Sequence, residues 1–442
     1  MPGILIRGGT IINEGKSWVG DIAIRDKYLV PIASLMDPER VIDARGFWVL
    51  PGVIDDQVHF REPGLETKGT IASESLAALA GGITSFMEMP NTIPPATTQE
   101  LLQQKFRIAQ KEAWCNYSFY LGATNHNLEE IRALDPRKVC GVKVFMGSST
   151  GDLLVDSDEA LHQLFAAAQV PVAVHSEDEE TIKRNIAYYR EFYGNRADAR
   201  IHPQVRSEEA CVKCTARAIA YCRNTGGHLH LLHISTAREV DMIRQAKEEG
   251  LRVTAEVCVH HLWFSEENYD VLGNLIKWNP SIKTKNDRHK LREGLLDGTI
   301  DIVATDHAPH ELEKKMQEYF DAPSGGPLVQ FSLVMMLEMA RQHCWTAADV
   351  VTWMSHKPAD LFRVDRRGYL REGYYADVVL VDPDSLWIIR GNDSLSKVKW
   401  TPLEGTEVHH RIVAAIVNGK VAYENGAPVE DAKSPMELRF LR

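Results

Sequence analysis

This 442-residue chain has five apolar, strand-like segments that each carry a side chain able to bind a metal. The side chain lies within the segment, at its end or just after it. Imidazole and carboxylate groups are the usual ligands of Zn²⁺, and two ions with shared ligands can lower the pKa of a trapped water and polarise a carbonyl. That chemistry is suited to the hydrolysis of an amide. We therefore expect one or two zinc ions, with the ligands His59, Lys143, His175, His233 and Asp306.

Lys143 is the unusual member of this set, because an ammonium beside two divalent cations would be repelled by them and desolvated. A lysine carboxylated by CO₂ is an anionic oxygen ligand that can bridge two metals. The alternative is an unmodified lysine in a buried ion pair with a nearby carboxylate. We favour carboxylation.

Asp306 has two roles open to it. It can be a metal ligand, and it can carry a proton from the attacking water to the leaving nitrogen. The alternative is an aspartate that caps a helix. The neighbouring His307 and His310 favour the catalytic interpretation.

The elements that must position these residues alternate between strand-like and helix-like patterns. Helix-like stretches such as 71–80, 99–112 and 207–223 separate the apolar runs, which predicts a parallel sheet. In a (β/α)8 barrel, functional residues lie where strands end at the C-terminal face. Eight runs fit such a TIM-like barrel: 53–60, 84–89, 116–122, 142–146, 170–175, 229–234, 252–259 and 301–304.

Both ends of the chain show short alternating segments with turn residues between them, including a hairpin signal at Asn418-Gly419. We predict that the two termini form one small composite β-sandwich domain. Its expected residues are 1–50 with 368–442, and the barrel is expected at 51–367.

Composition excludes several classes of protein. Hydrophobic residues make up 44% of the chain, which predicts a large globular core, and the net charge of −11 argues against nucleic-acid or anionic-membrane partners. We find no signal sequence or membrane span, so we expect a cytoplasmic location. The seven scattered cysteines indicate reduced thiols, and we interpret Cys211 and Cys214 as helix residues.

Five segments make the chain resemble the cyclic amidohydrolases, and more narrowly the dihydroorotases. This resemblance implies a small-molecule substrate, with reversible hydrolysis of dihydroorotate to N-carbamoyl-aspartate, a step of pyrimidine synthesis. It also implies substrate contacts from Arg61, Asn91, Asn279 and His310. The segments are Leu50-Pro51-Gly52-Val53-Ile54-Asp55, Val58-His59-Phe60-Arg61-Glu62-Pro63-Gly64, Met89-Pro90-Asn91-Thr92, Gly141-Val142-Lys143 and Ala304-Thr305-Asp306-His307-Ala308-Pro309-His310.

Gln57 departs from the family pattern, which has His-x-His where this chain reads Gln57-Val58-His59. A neutral amide offers only a carbonyl oxygen, which is a weaker zinc ligand than imidazole. We expect the metal served by Gln57, His59, Lys143 and Asp306 to bind more weakly than the metal served by Lys143, His175 and His233.

Two other functions are compatible with this sequence. One is a catalytically silent dihydroorotase homologue that acts as a structural partner of another pyrimidine enzyme. The other is a hydantoinase or dihydropyrimidinase type of cyclic amidase, which would not need Arg61 and Asn91 to hold a carboxylate. The segment 178–206 is longer than a barrel needs and is interpreted as a lid, a homodimer contact or a surface excursion.

Overall fold

The computed structural model describes residues 3–147 and 153–442, and it shows an α/β chain. Its N-terminal strands are β1 (Gly3–Asn13), β2 (Lys16–Arg25), β3 (Tyr28–Val30), β4 (Arg40–Asp43) and β5 (Trp48–Pro51). The central strands are β6 (Val53–Val58), β7 (Ile83–Glu88), β8 (Asn116–Phe119), β9 (Leu121–Gly122), β10 (Val142–Phe145), β11 (Val172–His175), β12 (Leu229–Leu231), β13 (Val253–Cys258) and β14 (Ile302–Ala304). The C-terminal strands are β15 (Val378–Asp382), β16 (Trp387–Ile388), β17 (Glu407–Val408), β18 (Arg411–Val417), β19 (Lys420–Glu424) and β20 (Ala427–Pro428).

Along the chain, the α-helices alternate with the central strands, and the last four lie between β14 and β15. They are α1 (Ile71–Ala80), α2 (Gln99–Glu112), α3 (Leu128–Arg132), α4 (Asp158–Ala167), α5 (Glu179–Tyr193), α6 (His202–Val205), α7 (Glu208–Thr225), α8 (Ala237–Glu248), α9 (Val259–Trp263), α10 (Tyr269–Leu272), α11 (Lys285–Leu296), α12 (Leu312–Lys315), α13 (Ser332–Gln342), α14 (Ala347–Val351) and α15 (Lys357–Phe362).

Strands β6 to β14 form the barrel. Strands β6, β7 and β8 pair in parallel, and β9 to β14 form a six-stranded parallel sheet. Tyr120 links β8 directly to β9, so these two short strands count as one. The barrel closes where Val58 forms a parallel bridge with His307, and the His59 N–H donates to the His307 carbonyl oxygen at 2.8 Å. The prediction of an eight-stranded barrel is confirmed.

The principal barrel helices begin in the same way. Each starts after a Ser or Thr whose side-chain oxygen accepts a backbone N–H three residues later, which satisfies one of the unpaired donors at a helix N-terminus. Such a cap stabilises a helix by about 1 kcal/mol. The capping residues are Thr70, Thr98, Ser157, Ser207, Thr236 and Thr284 for α1, α2, α4, α7, α8 and α11.

The termini share one nine-stranded sheet, in which β5 pairs antiparallel with β15 and parallel with β1. Apolar side chains from both ends of this sheet pack into one core, so the sheet folds over on itself as a sandwich. This confirms the predicted small β domain built from both termini; its boundaries at 50 and 368 stay predictions. The shared core includes Ile6, Ile24, Val378, Ile416 and Val421.

Cys211 and Cys214 both lie buried within α7, and all seven cysteines are free thiols. The helical interpretation of this pair is therefore correct. Among the described residues, no helix is long and apolar enough to cross a bilayer.

Candidate active site

The five expected ligand residues lie at or just beyond the C-terminal ends of barrel strands, or within the strand in the case of Lys143. All five are buried, with exposed fractions of 1–8%. Apart from Lys143, these residues and Gln57 form two contacting groups, which we call the His175 half (His175 and His233) and the Gln57 half (Gln57, His59 and Asp306).

In the His175 half, two imidazoles face each other. His175 Nδ1 lies 3.0 Å from His233 Nε2, and the rings meet edge to face. Burial lowers the pKa of both groups, well below the ordinary range for His233. Both side chains are therefore neutral near pH 7, which is the form that binds metals.

Buried carboxylates hold this half in place. Glu177 Oε2 accepts from His175 Nε2 at 2.9 Å and from Arg206 at 2.6 Å. Burial raises the pKa of Glu177, but the charge of Arg206 and the His175 hydrogen bond outweigh it and hold that pKa well below its usual range. Glu256 Oε1 accepts the backbone N–H of His233 at 3.0 Å.

In the Gln57 half, Asp306 is the common partner. Its Oδ1 lies 3.1 Å from His59 Nε2 and accepts from the Gln57 amide nitrogen at 3.2 Å. His59 Nδ1 in turn lies 2.7 Å from Asn91 Oδ1. Burial lowers the pKa of His59, so this imidazole is also neutral.

Lys143 is fully buried, and its Nζ lies 4.7 Å from the centre of the Phe145 ring. Within residues 3–147 and 153–442, the Nζ atom makes no ion pair. Burial lowers the pKa of Lys143 to about 8. A lowered pKa increases the share of the neutral amine, which is the form that reacts with CO₂.

The expected substrate residues do not form one contacting group. Arg61 Nη2 lies 3.1 Å from His310 Nε2, and Arg61 Nε donates to the Pro309 carbonyl at 3.3 Å. Asn91 is engaged with His59 instead. Asn279 contacts none of these side chains among the described residues; its Oδ1 is buried without a partner there.

Three site residues adopt backbone angles that L side chains rarely take. Arg61, His233 and Asp306 have φ values of 75°, 40° and 46°. Left-handed backbone at residues other than glycine is uncommon, and it is concentrated at functional sites.

A buried acid–imidazole cluster, which sequence reasoning missed, lies beside the His175 half. His230 Nε2 lies 3.2 Å from Asp56 Oδ2 and 3.5 Å from Glu256 Oε2, and all three side chains are inaccessible. Burial lowers the pKa of His230, but hydrogen bonds to the two carboxylates outweigh it and raise the pKa to about 9. The available signal was the run of polar residues from Asp55 to Gln57 within a fully buried strand.

The donor set fits a divalent metal. The 3.0 Å separation of the His175 and His233 nitrogens is close to the spacing of two ligands held at about 2.0–2.1 Å from one zinc ion. Neutral imidazoles and the Asp306 carboxylate complete a set typical of zinc.

Comparison with known proteins gives a consistent assignment. The amidohydrolase family matches residues 48–422. The chain is 33% identical over 432 residues to an allantoinase of Bacillus velezensis, with 96% of this chain and 94% of that protein covered. It is 35% identical over 400 residues to a dihydroorotase of Halobacterium salinarum, with 89% and 91% covered.

Among solved structures, the L-hydantoinase (dihydropyrimidinase) of Arthrobacter aurescens is similar, with a TM-score of 0.94 and 26% identity. That alignment covers 99% of this chain and 100% of the hydantoinase chain. Amidohydrolase family members are metal-dependent, and the described residues include two groups of buried side chains that could hold a metal, Asp56 with His230 and Glu256, and Cys258 with His260 and His261. The chain belongs to the amidohydrolase family and is a hydrolase acting on cyclic amides.

Proposed function

We propose that this chain is a dihydroorotase, which reversibly hydrolyses (S)-dihydroorotate to N-carbamoyl-L-aspartate in pyrimidine (UMP) biosynthesis. The observation that carries the proposal is Arg61. The residue is only 7% exposed, and within the described chain no carboxylate lies within ion-pair distance of its guanidinium. A buried charge without a counter-ion is costly, so the site is suited to an anionic ligand.

The charge of the substrate separates this function from related ones. Dihydroorotate carries a carboxylate on its ring, whereas dihydrouracil, unsubstituted hydantoin and allantoin do not. Burial lowers the pKa of Arg61 to about 10, so the group remains charged at neutral pH. Its planar fork matches a carboxylate in geometry.

The other substrate residues have complementary donors and acceptors. His310 lies against Arg61 and would fix the direction of its fork. Asn91 accepts at Oδ1 from His59, which leaves its amide N–H groups to donate to the substrate carboxylate. Asn279 Oδ1 is buried and unpartnered among the described residues, so it can accept a ring N–H.

Zinc would be held by His59, Lys143 in its carboxylated form, His175, His233 and Asp306, with Gln57 as a weak additional ligand. Bound there, it would supply a water of lowered pKa and polarise the ring amide carbonyl.

Asp306 is the proton carrier in this proposal. Its Oδ1 accepts from the Gln57 amide and lies 3.1 Å from His59 Nε2, and a carboxylate in that position can accept the proton of the attacking water. As the new C–O bond forms and the ring C–N bond breaks, Asp306 delivers that proton to the leaving nitrogen. In the reverse direction it removes the proton from the ureido nitrogen.

Two alternatives remain distinct from this proposal. Gln57 favours a silent homologue that serves as a structural partner, since it replaces an imidazole ligand with an amide. The similarity to a hydantoinase and an allantoinase favours a cyclic amidase for uncharged rings.

Substrate choice tests these readings. Zinc-loaded protein should turn over dihydroorotate and leave dihydrouracil, hydantoin and allantoin unchanged. The Arg61→Gln variant should raise KM for dihydroorotate, and Arg137→Gln, an exposed arginine paired with Asp135, is the matched control. Turnover of the uncharged rings would establish the hydantoinase type of activity, and no turnover of any ring would establish the silent homologue.

A further inference from the structure

Three donor groups outside the five expected ligands lie together at the end of β13 and the start of α9. They are Cys258, His260 and His261, and each is buried. The Sγ atom of Cys258 and one ring nitrogen from each histidine lie within 4.8 Å of one another.

The two histidines lack the hydrogen bonds that buried imidazoles normally make. His261 Nε2 donates to the Pro280 carbonyl at 3.2 Å, whereas its Nδ1 has no partner in the described chain. Neither ring nitrogen of His260 makes a hydrogen bond of ordinary geometry there, although the Thr305 backbone interacts with this imidazole. Buried polar groups without partners are rare in native proteins.

This arrangement is the one that metal-binding histidines show. A backbone carbonyl holds the N–H on one side of the ring, which fixes the tautomer and leaves the lone pair of the other nitrogen for the metal. For His261, Pro280 provides that carbonyl and Nδ1 is the nitrogen left over.

The location of the group is also informative. Cys258 Sγ lies 3.9 Å from Gln57 Oε1. The three donors therefore adjoin the half of the site in which an amide stands where the family has an imidazole ligand. A thiolate is a stronger zinc ligand than an amide oxygen.

We propose that Cys258, His260 and His261 form a metal site for zinc or a similar borderline-soft divalent cation, beside the Gln57 half. Cys258 binds as the thiolate and releases its proton to solvent. Gln57 Oε1 lies close enough to approach the fourth ligand position of this metal. The site requires no particular substrate, so its test is independent of the dihydroorotase proposal.

Cobalt substitution tests the thiolate directly. Protein loaded with Co²⁺ should show a near-ultraviolet thiolate-to-cobalt charge-transfer band. Its intensity should be that expected for one thiolate ligand per chain. Cys258→Ser should abolish the band. Cys214→Ser is the matched control, because Cys214 is also buried but lies within α7, and this variant should keep the band.

The histidines are tested in the same assay. His260→Ala and His261→Ala should each weaken Co²⁺ binding to this site by about 10-fold or more. Retention of the band in Cys258→Ser would overturn the proposal, as would unchanged affinity in both histidine variants.

A second measurement needs no variant. X-ray absorption of the zinc-loaded wild-type protein should show a sulfur neighbour at about 2.3 Å from zinc. Zinc with only nitrogen and oxygen neighbours would overturn the proposal even if Cys258→Ser fails to fold. Dihydroorotate turnover, measured on the same sample, reports separately on the proposed function.

Discussion

The two halves of the site differ in both their ligands and their support. The His175 half has two imidazoles: the buried carboxylate of Glu177 accepts from the His175 ring, and that of Glu256 accepts from the backbone N–H of His233. The Gln57 half has one imidazole, one amide and Asp306, and its outer contact is the neutral side chain of Asn91. A carboxylate that accepts from a histidine ring raises the basicity of that ligand. We therefore expect the metal to bind more tightly in the His175 half than in the Gln57 half.

The largest effect should come from the Gln57 half, through Asp306→Asn. An amide of the same shape cannot accept the proton of the attacking water, so kcat for dihydroorotate should fall by about 10²–10⁴-fold. Steady-state kinetics with elemental analysis of bound metal measures this. Activity within 10-fold of wild type, at full metal content, would remove Asp306 from the proton-carrying role.

The acid–imidazole cluster beside the His175 half should make fold stability depend on pH. The folded pKa of His230, about 9, lies above its ordinary value of 6.5. The stabilisation is therefore complete below about pH 6.5 and is lost as the pH rises through about 9, up to about 3 kcal/mol. Denaturant unfolding at pH 6.5 and 9.5 measures it. If the free energy of unfolding of the His230→Gln variant falls by the same amount between these pH values, groups other than His230 cause the pH dependence.

Support of the His175 half is tested by Glu177→Gln. The amide keeps the size of the side chain but removes the charge that orients His175, so zinc affinity should fall by about 10–100-fold. Competition with a chelator gives the affinity. Glu180→Gln, whose side chain is 90% exposed, is the control and should bind as wild type does. Equal affinity in the two variants would mean that Glu177 does not tune this half.

The smallest effect, and a gain, is expected for Gln57→His. An imidazole at this position should tighten the weaker metal by about 10-fold and make the two halves more alike. Zinc titration measures the affinity of the weaker metal. The Gln57→His variant and the protein with Gln57 should also be compared in a Cys258→Ser background. Two equally tight sites in the wild-type protein would show that Gln57 does not weaken its half.

Much of the fold could be predicted because its signals are local. Each of the eight apolar runs coincides with a barrel strand, with β8 and β9 in the third run, since length and apolar content mark a buried parallel strand. The ends of these strands also located His59, His175 and Asp306, because strand ends of a barrel share one face.

The support around the site could not be predicted, because it depends on contacts between distant parts of the chain. Asp56 and His230 are 174 residues apart and meet only through the register of the closed barrel. Arg206 reaches Glu177 from the end of the segment 178–206, which the sequence left open as a lid, a homodimer contact or an excursion. Cys258 gave no signal because a single cysteine in a strand is usually a core residue.

The left-handed backbone at Arg61, His233 and Asp306 has a consequence for protein engineering. Each such residue costs about 1 kcal/mol or more, which glycine would avoid. Selection for heat resistance alone should therefore favour glycine at these three positions. A thermostability screen on this chain must therefore include an activity assay, because the most stable variants that it selects will be inactive.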